Sequence, residues 1–356
     1  MQAKARREAE LTKALYAHAA KDLRLTECEL EKPQAGEVLV HLERGGICGS
    51  DLHYYSHGGF GAVRLKEPMI LGHEVAGRVA ALGEGVSTLA VGELVAISPS
   101  RPCGGCSECV RGMQNQCLNM RFYGSAMPFP HIQGAFREAI VAQAQNCIPA
   151  NGLSAGEAAM AEPLAVVLHA VRQAGEMLGR RVLVTGCGPI GILAIMVARR
   201  AGAAEIIAAD ISDGALPYAL AAGADQAFNT LANPDALAPF AAGKGTLDVQ
   251  FECSGAAPAL AAGIGVLRPR GRLVQLGMSG EMTLPMTQIT AKEIALVGSF
   301  RFHEEFAIAV QMMQAGLIDV KPLVTHSFPL AEYQAAFTMA LDRSRAMKVQ
   351  LEFAAC

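Results

Sequence analysis

Four cysteines lie within fifteen residues of the chain, at a spacing that can enclose a metal ion. They follow the pattern C-x2-C-x2-C-x7-C at Cys103, Cys106, Cys109 and Cys117. This spacing can bring four thiolates to one tetrahedral Zn²⁺, and the Gly-Gly pair after the first cysteine lets the backbone curl around it. Four free or disulfide-paired thiols are the alternative interpretation. In a 356-residue chain whose first residues show no export signal, we predict a structural zinc site instead.

A second group combines thiol, imidazole and carboxylate donors in two short segments. Cys48 lies in GICGSDLH, while His73 and Glu74 lie in GHE. A catalytic zinc keeps three protein ligands and one open position for water or substrate, which Cys48, His73 and a carboxylate would provide. Asp51 is suited to accept a hydrogen bond from His73 and orient it. Each residue alone is more often a packed or solvated side chain, but together they predict a catalytic metal site.

A glycine-rich segment follows the apolar run RVLV and precedes an apolar helix pattern. It contains Gly186, Gly188, Pro189, Ile190 and Gly191. In this context the segment predicts a turn and helix start that bind the pyrophosphate of a dinucleotide. An acidic residue, Asp210, ends the next predicted strand and is suited to bind the ribose hydroxyls. Because ISDGAL after it offers no Lys or Arg for a 2′-phosphate, we expect NAD rather than NADP.

The pattern of apolar runs predicts the elements that must position these groups. From about residue 36 to 100, short apolar runs alternate with Gly-rich turns, which is typical of a mostly β region, and 101–123 reads as an irregular lobe. From about Leu178 the alternation of strand, Gly turn and helix predicts a doubly wound parallel sheet. We predict an α/β protein with a mostly β domain of residues 1–163 and 307–356, and a Rossmann domain of residues 164–306.

Charge and hydropathy exclude two classes of partner. The net charge of −3 gives no excess of basic residues for nucleic acid, and no segment offers about 18 uninterrupted apolar residues for a membrane span. The charged opening MQAKARREAELTKA has no apolar core of a signal peptide, so we expect a cytoplasmic protein.

At these motifs the sequence resembles the zinc-containing medium-chain alcohol and polyol dehydrogenases, from about Gly45 to the end of the chain. The resemblance implies a GroES-like catalytic domain, with Cys48 and His73 on the catalytic zinc. Where alcohol dehydrogenases have a further cysteine ligand, this chain reads AEPL, as sorbitol dehydrogenase-like enzymes do. In that polyol branch Glu74 or Glu162 completes the zinc shell, one of them through water, and this choice stays open.

The resemblance also implies a proton relay and cofactor contacts. Zinc would activate the substrate hydroxyl, and Ser50 would take its proton. The proton would then pass through the nicotinamide ribose hydroxyl to His53 and out to solvent. The cofactor contacts implied are Cys253, Gly277 and Phe300. Polyol dehydrogenases commonly carry an arginine shortly after the ribose-binding acid, and this chain departs from that pattern with Asp213-Gly214-Ala215.

Three stretches, SPSRPCGGCSEC, NQCLNMRFYGSAMPFPHIQGAF and GSFRF, resemble those of L-idonate 5-dehydrogenases, which implies oxidation of L-idonate to 5-keto-D-gluconate. A sugar acid needs a cation in its pocket, and Arg301 matches the substrate-site arginine of the polyol branch. Arg121 and His131 are weaker candidates, and Tyr54 is a further candidate for the pocket wall. Sorbitol, xylitol and L-threonine remain alternative substrates.

A noncatalytic nucleotide-binding relative would be expected to lose zinc ligands or relay residues, and none is lost. Tetramers are frequent in the family, so we expect a homo-oligomer.

Overall fold

The structure, a computed structural model, describes residues 10–278 and 280–354. The strands are, in chain order, β1 (Leu11–Ala19), β2 (Asp22–Glu29), β3 (Glu37–Gly46), β4 (Gly59–Phe60), β5 (Val63–Arg64), β6 (Met69–Ile70), β7 (Glu74–Leu82), β8 (Leu94–Ile97), β9 (Ser100–Arg101), β10 (Arg121–Phe122), β11 (Ala139–Gln143), β12 (Cys147–Pro149), β13 (Arg181–Thr185), β14 (Glu205–Asp210), β15 (Gln226–Asn229), β16 (Leu247–Glu252), β17 (Leu267–Gln275), β18 (Ala295–Gly298), β19 (Val324–Pro329) and β20 (Lys348–Glu352).

The α-helices lie mostly in the second half of the chain. They are α1 (Gly49–His57), α2 (Ser107–Val110), α3 (Ala155–Ala159), α4 (Ala161–Ala174), α5 (Pro189–Arg200), α6 (Leu216–Ala221), α7 (Ala257–Val266), α8 (Met286–Lys292), α9 (Glu305–Gln314) and α10 (Tyr333–Leu341). Within the described ranges, none of them is long and apolar enough to cross a bilayer.

The larger sheet of the N-terminal half has seven strands in the order β12-β8-β7-β3-β20-β19, with β11 also paired to β3. In β3 the alternate residues Val38, Val40 and Leu42 are buried, as expected for a strand with one face on a core. The last strand, β20, pairs antiparallel with the end of β3, so the chain after residue 306 contributes to this first sheet. The predicted domain boundaries themselves stay a prediction.

The second sheet is parallel, with strands in the order β15-β14-β13-β16-β17-β18. Strands β13 and β14 carry continuous apolar runs because helices cover both faces, and the parallel strand order confirms the predicted doubly wound fold. The strand order reverses beside β13, whose neighbours are β14 and β16. In such sheets ligands bind outside the carboxyl ends of the strands at this reversal. The glycine-rich segment begins there, directly after Thr185.

Helix α4 lies at the junction of the two sheets. One continuous apolar cluster contains Ala76 and Ala96 of the first sheet, Leu164 of α4, and Val182 and Phe251 of the parallel sheet. Both sheets are therefore fixed relative to the N-terminal turn of α4, where Glu162 lies. The lobe at 101–123 was predicted to be irregular, and that was wrong in detail, because it contains α2 and the paired strands β9 and β10.

Candidate active site and metal centres

Cys48, His73 and Glu74 lie together at one end of the first sheet. Their donor atoms are all within 4.8 Å of one another. Cys48 immediately precedes α1, and Glu74 begins β7. The two segments meet because β7 pairs with β3, with Glu74 opposite Gly46. Strand pairing thus brings together side chains that are 25 residues apart in sequence.

Asp51 joins these two segments through their backbones. It is fully buried, and its carboxylate accepts hydrogen bonds from the N–H groups of Cys48, at 3.0 Å, and Gly72, at 3.1 Å. The hydrogen bond predicted between Asp51 and His73 is not formed, since His73 Nδ1 lies 3.9 Å from Asp51 Oδ1. Both carboxylate oxygens are engaged by N–H groups instead. Asp51 therefore orients the backbone on which the donors are carried.

Lys348 of β20 is a site residue that the sequence analysis missed. Its Nζ donates to both carboxylate oxygens of Glu74, at 2.8 and 2.7 Å, and both side chains are almost fully buried. In the sequence, Lys348 is only a lysine at the first position of the segment KVQLE, and this segment does not indicate its partner. The ion pair compensates the charge of Glu74 and fixes its carboxylate beside Cys48 and His73.

Glu162 lies in the first turn of α4, outside the group formed by Cys48, His73 and Glu74 but close enough to interact with their charges. Burial raises the pKa of Glu162 to about 8. Burial and the nearby Glu74 carboxylate raise the pKa of Cys48 to about 12.

The donor set fits zinc. Cys48, Glu74 and Glu162 all ionise to anions and lie close together, whereas Lys348 supplies a single positive charge. A divalent cation is therefore suited to compensate the remaining negative charge. Thiol, imidazole and carboxylate are also the donors that zinc binds. With three donors close together and Glu162 nearby, the arrangement resembles a catalytic rather than a closed structural site.

Ser50 and His53 occupy neighbouring positions on α1. Three residues apart on a helix, they lie on the same side, one turn from each other. His53 lies at the surface, and the partial burial of its ring lowers its pKa, which favours the neutral imidazole. Tyr54 is almost fully buried, and its hydroxyl accepts a hydrogen bond of 3.0 Å from the N–H of Ala126.

Arg301 presents a cation near these groups. Its guanidinium carbon lies 4.2 Å from the centre of the Phe122 ring, and that ring lies 5.6 Å from the ring of His73. Burial lowers the pKa of Arg301 to about 10, which leaves it charged, and the nearby Glu162 opposes this shift. Arg301 forms no salt bridge with any residue that the structure describes. Arg301 is thus a half-buried cation that contacts no carboxylate directly within the described part of the chain.

The two weaker candidates for substrate binding are placed differently. Arg121 is exposed, and the next residue on β10, Phe122, is the one that contacts His73 and Arg301. Successive strand residues point to opposite sides, so Arg121 points away from the site. His131 is buried, with Nε2 accepting from the N–H of Lys66 and Nδ1 lying 2.9 Å from the carbonyl of Pro128. Both ring nitrogens of His131 thus bind backbone.

The cysteine lobe gathers its four sulfur atoms within 4.8 Å of one another. The sulfurs of Cys106 and Cys117 are 3.9 Å apart, close to the roughly 3.8 Å expected for two thiolates on one tetrahedral zinc. This separation is far longer than a disulfide bond, and the cysteines are free. A hydrogen bond from Asn119 and backbone N–H groups lower the pKa of Cys103 to about 6. The lobe therefore fits a closed zinc site.

The glycine-rich segment has the geometry of a dinucleotide site. Gly186 adopts φ of +84°, and a Cβ on Gly191 would lie 1.8 Å from the carbonyl oxygen of Gly186, so the turn requires glycine at both positions. Gly188 caps α5 and faces open space, while Pro189 and Ile190 form its first turn. Unpaired N–H groups at this helix start suit a pyrophosphate.

The remaining predicted cofactor contacts lie at the carboxyl edge of the parallel sheet. Asp210 accepts hydrogen bonds from the N–H groups of Cys187, at 2.6 Å, and Ser212, at 2.8 Å, and so braces the glycine turn. Cys253, Gly277 and Phe300 follow β16, β17 and β18, respectively. The structure thus brings these residues to one edge, where a dinucleotide would run across the sheet.

Comparison with known proteins places both halves of the chain. Residues 34–152 match the family described as alcohol dehydrogenase GroES-like domain, and residues 189–315 match that described as zinc-binding dehydrogenase. L-idonate 5-dehydrogenase (NAD(P)(+)) of Escherichia coli (strain K12) is 44% identical over 89% of this chain and 92% of the relative. Human sorbitol dehydrogenase is 35% identical over 95% of each chain.

A solved structure extends the similarity to three dimensions. The crystal structure of L-idonate 5-dehydrogenase from Escherichia coli str. K-12 substr. MG1655 superposes with a TM-score of 0.93 and 42% identity, covering 97% of this chain and 99% of that one. The predicted fold and family are confirmed. The chain belongs to the zinc-dependent medium-chain dehydrogenases, among the alcohol and polyol dehydrogenases.

Proposed function

We propose that this enzyme oxidises a secondary alcohol of a sugar acid, converting L-idonate to 5-keto-D-gluconate with NAD as hydride acceptor. The observation that carries the proposal is Arg301, a half-buried cation without a carboxylate partner among the described residues, close to the metal-binding group. A substrate carboxylate would supply the missing partner through a bidentate hydrogen bond. Similarity to the L-idonate enzyme of Escherichia coli supports the same substrate.

The roles proposed for the site follow from the donors. Cys48, His73 and Glu74 would hold the catalytic zinc, with Glu162 beside it. Bound zinc would polarise the substrate hydroxyl, and NAD would accept the hydride. Ser50 accepts the hydroxyl proton and passes its own proton on towards His53, because a serine hydroxyl can relay a proton but not store it near pH 7.

His53, Phe122 and Tyr54 complete the proposed active site. His53 delivers the proton to solvent from its exposed position on α1, and its lowered pKa favours the neutral form that can accept it. Phe122 and Tyr54 exclude water from the side of the site that Arg301 covers.

The test is NADH formation by the purified protein with L-idonate, D-gluconate, sorbitol, xylitol and L-threonine, each with and without a zinc chelator. We expect the highest kcat/KM with L-idonate and loss of activity with the chelator. Arg301→Gln should raise KM for L-idonate about 10- to 100-fold, because one charged hydrogen-bonded pair is lost. The same substitution should change KM for sorbitol little. Arg121→Gln is the matched control and should leave both nearly unchanged. Equal or better turnover of neutral polyols would refute the sugar-acid assignment.

A neutral polyol dehydrogenase is the second candidate. It is favoured by Glu162 in place of a cysteine and by the similarity to human sorbitol dehydrogenase. In that case sorbitol or xylitol would give the highest kcat/KM, and Arg301→Gln would affect L-idonate and sorbitol alike. The same assay separates the two candidates.

We also propose the cofactor preference, the quaternary structure and the cellular location. A carboxylate at Asp210 would repel the 2′-phosphate of NADP, so NAD should give the lower KM. The family resemblance supports a homotetramer, which light scattering would test, working in sugar acid metabolism in the cytoplasm. Equal KM values for NAD and NADP would contradict the role of Asp210.

A further inference from the structure

We propose that Asn115, in the cysteine lobe, is a positioning residue for the nicotinamide end of the cofactor site. Asn115 lies in the short 3-10 turn between Cys109 and Cys117. Its Nδ2 donates a hydrogen bond of 3.0 Å to the carbonyl of Phe300, which is 185 residues away in sequence. Through this bond the lobe reaches the turn after β18. The inference rests on the proposed function, because it takes Phe300 to contact the nicotinamide.

The turn that Asn115 holds is strained. Arg301 adopts φ of +56°, a left-handed conformation that is unfavourable for a residue with a side chain. Such a conformation persists only where the surroundings determine it. The surroundings here are the Asn115 bond to Phe300, the stacking of Arg301 on Phe122, and a hydrogen bond of 3.0 Å from the N–H of His303 to Glu305.

A second contact fixes Asn115 itself. Its Nδ2 also lies 3.5 Å from Nε2 of His169, on α4. The Nδ1 atom of His169 lies 3.1 Å from Oε1 of Glu305, the same carboxylate that holds the N–H of His303. With the proton of His169 on Nδ1, its Nε2 accepts from the second N–H of Asn115. The amide thus bridges the turn and α4, the helix that carries Glu162 in its first turn.

The backbone N–H of Phe300 is left available for a ligand. Its carbonyl is bound by Asn115, while its N–H has no acceptor within residues 10–278 and 280–354. This N–H is a donor suited to the carboxamide oxygen of nicotinamide. The preceding residue, Ser299, has a buried hydroxyl with no partner among the same residues. The carbonyl and the N–H of Phe300 lie in successive peptide planes that meet at its Cα, so a shift of the residue that Asn115 holds would move the Phe300 donor and Arg301 together.

The test compares Asn115→Ala and Asn115→Asp with Gln116→Ala, an exposed neighbour in the same 3-10 turn. Asn115→Asp is nearly isosteric but replaces the donor with an acceptor facing the carbonyl of Phe300. We expect the Kd for NADH, measured by fluorescence, and the KM for NAD to rise about 5- to 50-fold in both Asn115 variants, more in Asn115→Asp. Zinc content should stay at the wild-type value, and Gln116→Ala should bind NADH as wild type does.

ADP-ribose, which lacks nicotinamide, gives the discriminating measurement. If Asn115 positions only the nicotinamide end, the variants bind ADP-ribose with wild-type affinity while losing affinity for NADH. Unchanged NADH binding in Asn115→Ala overturns the inference. So does an equal loss for NADH and ADP-ribose, or a loss of zinc with the loss of binding, because either would mean a general structural role. These binding measurements need no sugar substrate, so inactivity of the wild type on L-idonate would refute the proposed function alone.

Discussion

The two metal-binding regions of this chain are built in opposite ways. The cysteine lobe draws four identical donors from a single stretch of fifteen residues, and its first sulfur is exposed. The active-site group draws three different donors from two segments, and strand pairing, Asp51 and Lys348 hold them together. The lobe can organise itself around its ion, whereas the active-site donors are arranged by the fold.

This difference predicts different consequences of losing each ion. A segment without its own core depends on its metal for structure, so removal should first affect stability. A site whose donors are fixed by the paired strands of the first sheet should keep its structure and lose only its chemistry. The mixed donors and the nearby Glu162 fit the second case.

The largest effect is expected from Cys48→Ser. Removal of this thiol should lower kcat by about 1,000-fold or more, because the substrate hydroxyl is no longer polarised by a properly held metal. The Kd for NADH, measured by fluorescence, should stay within about threefold of wild type. A fully active Cys48→Ser enzyme would contradict a catalytic metal at this position.

A smaller loss is expected from Asp51→Asn, which tests whether the active-site donors depend on the fold around them. The amide can accept through one atom only, so one of the N–H groups of Cys48 and Gly72 loses its partner. We expect kcat/KM to fall about 10- to 100-fold, the usual cost of disturbing the groups that orient metal ligands. Steady-state kinetics with metal analysis measures this, and unchanged kinetics would show that strand pairing alone fixes the donors.

The opposite pattern is expected from Cys106→Ser in the lobe. Thermal unfolding should begin several degrees lower, because a structural zinc contributes directly to folding. In the protein that remains folded, kcat should stay within about fivefold of wild type. Differential scanning calorimetry with the kinetic assay measures both, and a drop in kcat as large as that of Cys48→Ser would erase the distinction between the two regions.

The smallest effect is expected from Glu305→Gln. The Glu305 carboxylate contacts His169 of α4, the residue that Asn115 of the cysteine lobe also contacts. Burial alone would raise the pKa of Glu305, but hydrogen bonds from His169 and from the N–H of His303 lower it to about 2. A carboxylate with a lowered pKa stabilises the fold above its unfolded pKa of about 4.3 and loses that contribution as the pH falls through about 2. Glu305→Gln should therefore lower stability by about 1 to 3 kcal/mol at pH 7.

The pH dependence provides the control for Glu305. The difference in urea midpoint between Glu305→Gln and wild type should be largest above pH 5 and shrink towards pH 2. Comparing the two proteins in the same buffer cancels any loss of zinc common to both. A difference that is constant from pH 7 to pH 2 would show that the charge of Glu305 is not what stabilises this contact.

The difference between the two metal-binding regions also explains which features the sequence could predict. The cysteine lobe and the glycine-rich turn are local patterns, so spacing identified them before the fold was known. The parallel sheet was also predictable, because the alternation of strand, glycine turn and helix is repeated along the second half of the chain. By comparison, Lys348 and Glu74 are 274 residues apart, and nothing in either segment indicates the other. The same is true of Asn115 and Phe300.

Single residues within short elements were also beyond prediction. Strand β10 has two residues, too few for an alternating pattern, so sequence could not show that Phe122 rather than Arg121 faces the site. For Asp51, the sequence indicated an orienting role but named His73 as the partner instead of the N–H groups of Cys48 and Gly72. Partners of this kind are set by the packing of distant segments.

The most direct test of two metal sites with separate tasks is the zinc content of three purified proteins. Wild type should hold about two zinc ions per chain, and Cys48→Ser and Cys106→Ser about one each, with NADH formation from L-idonate retained only where the active-site ion remains. A wild type with a single zinc, or a Cys48→Ser protein that keeps about two and turns over L-idonate, would contradict the account.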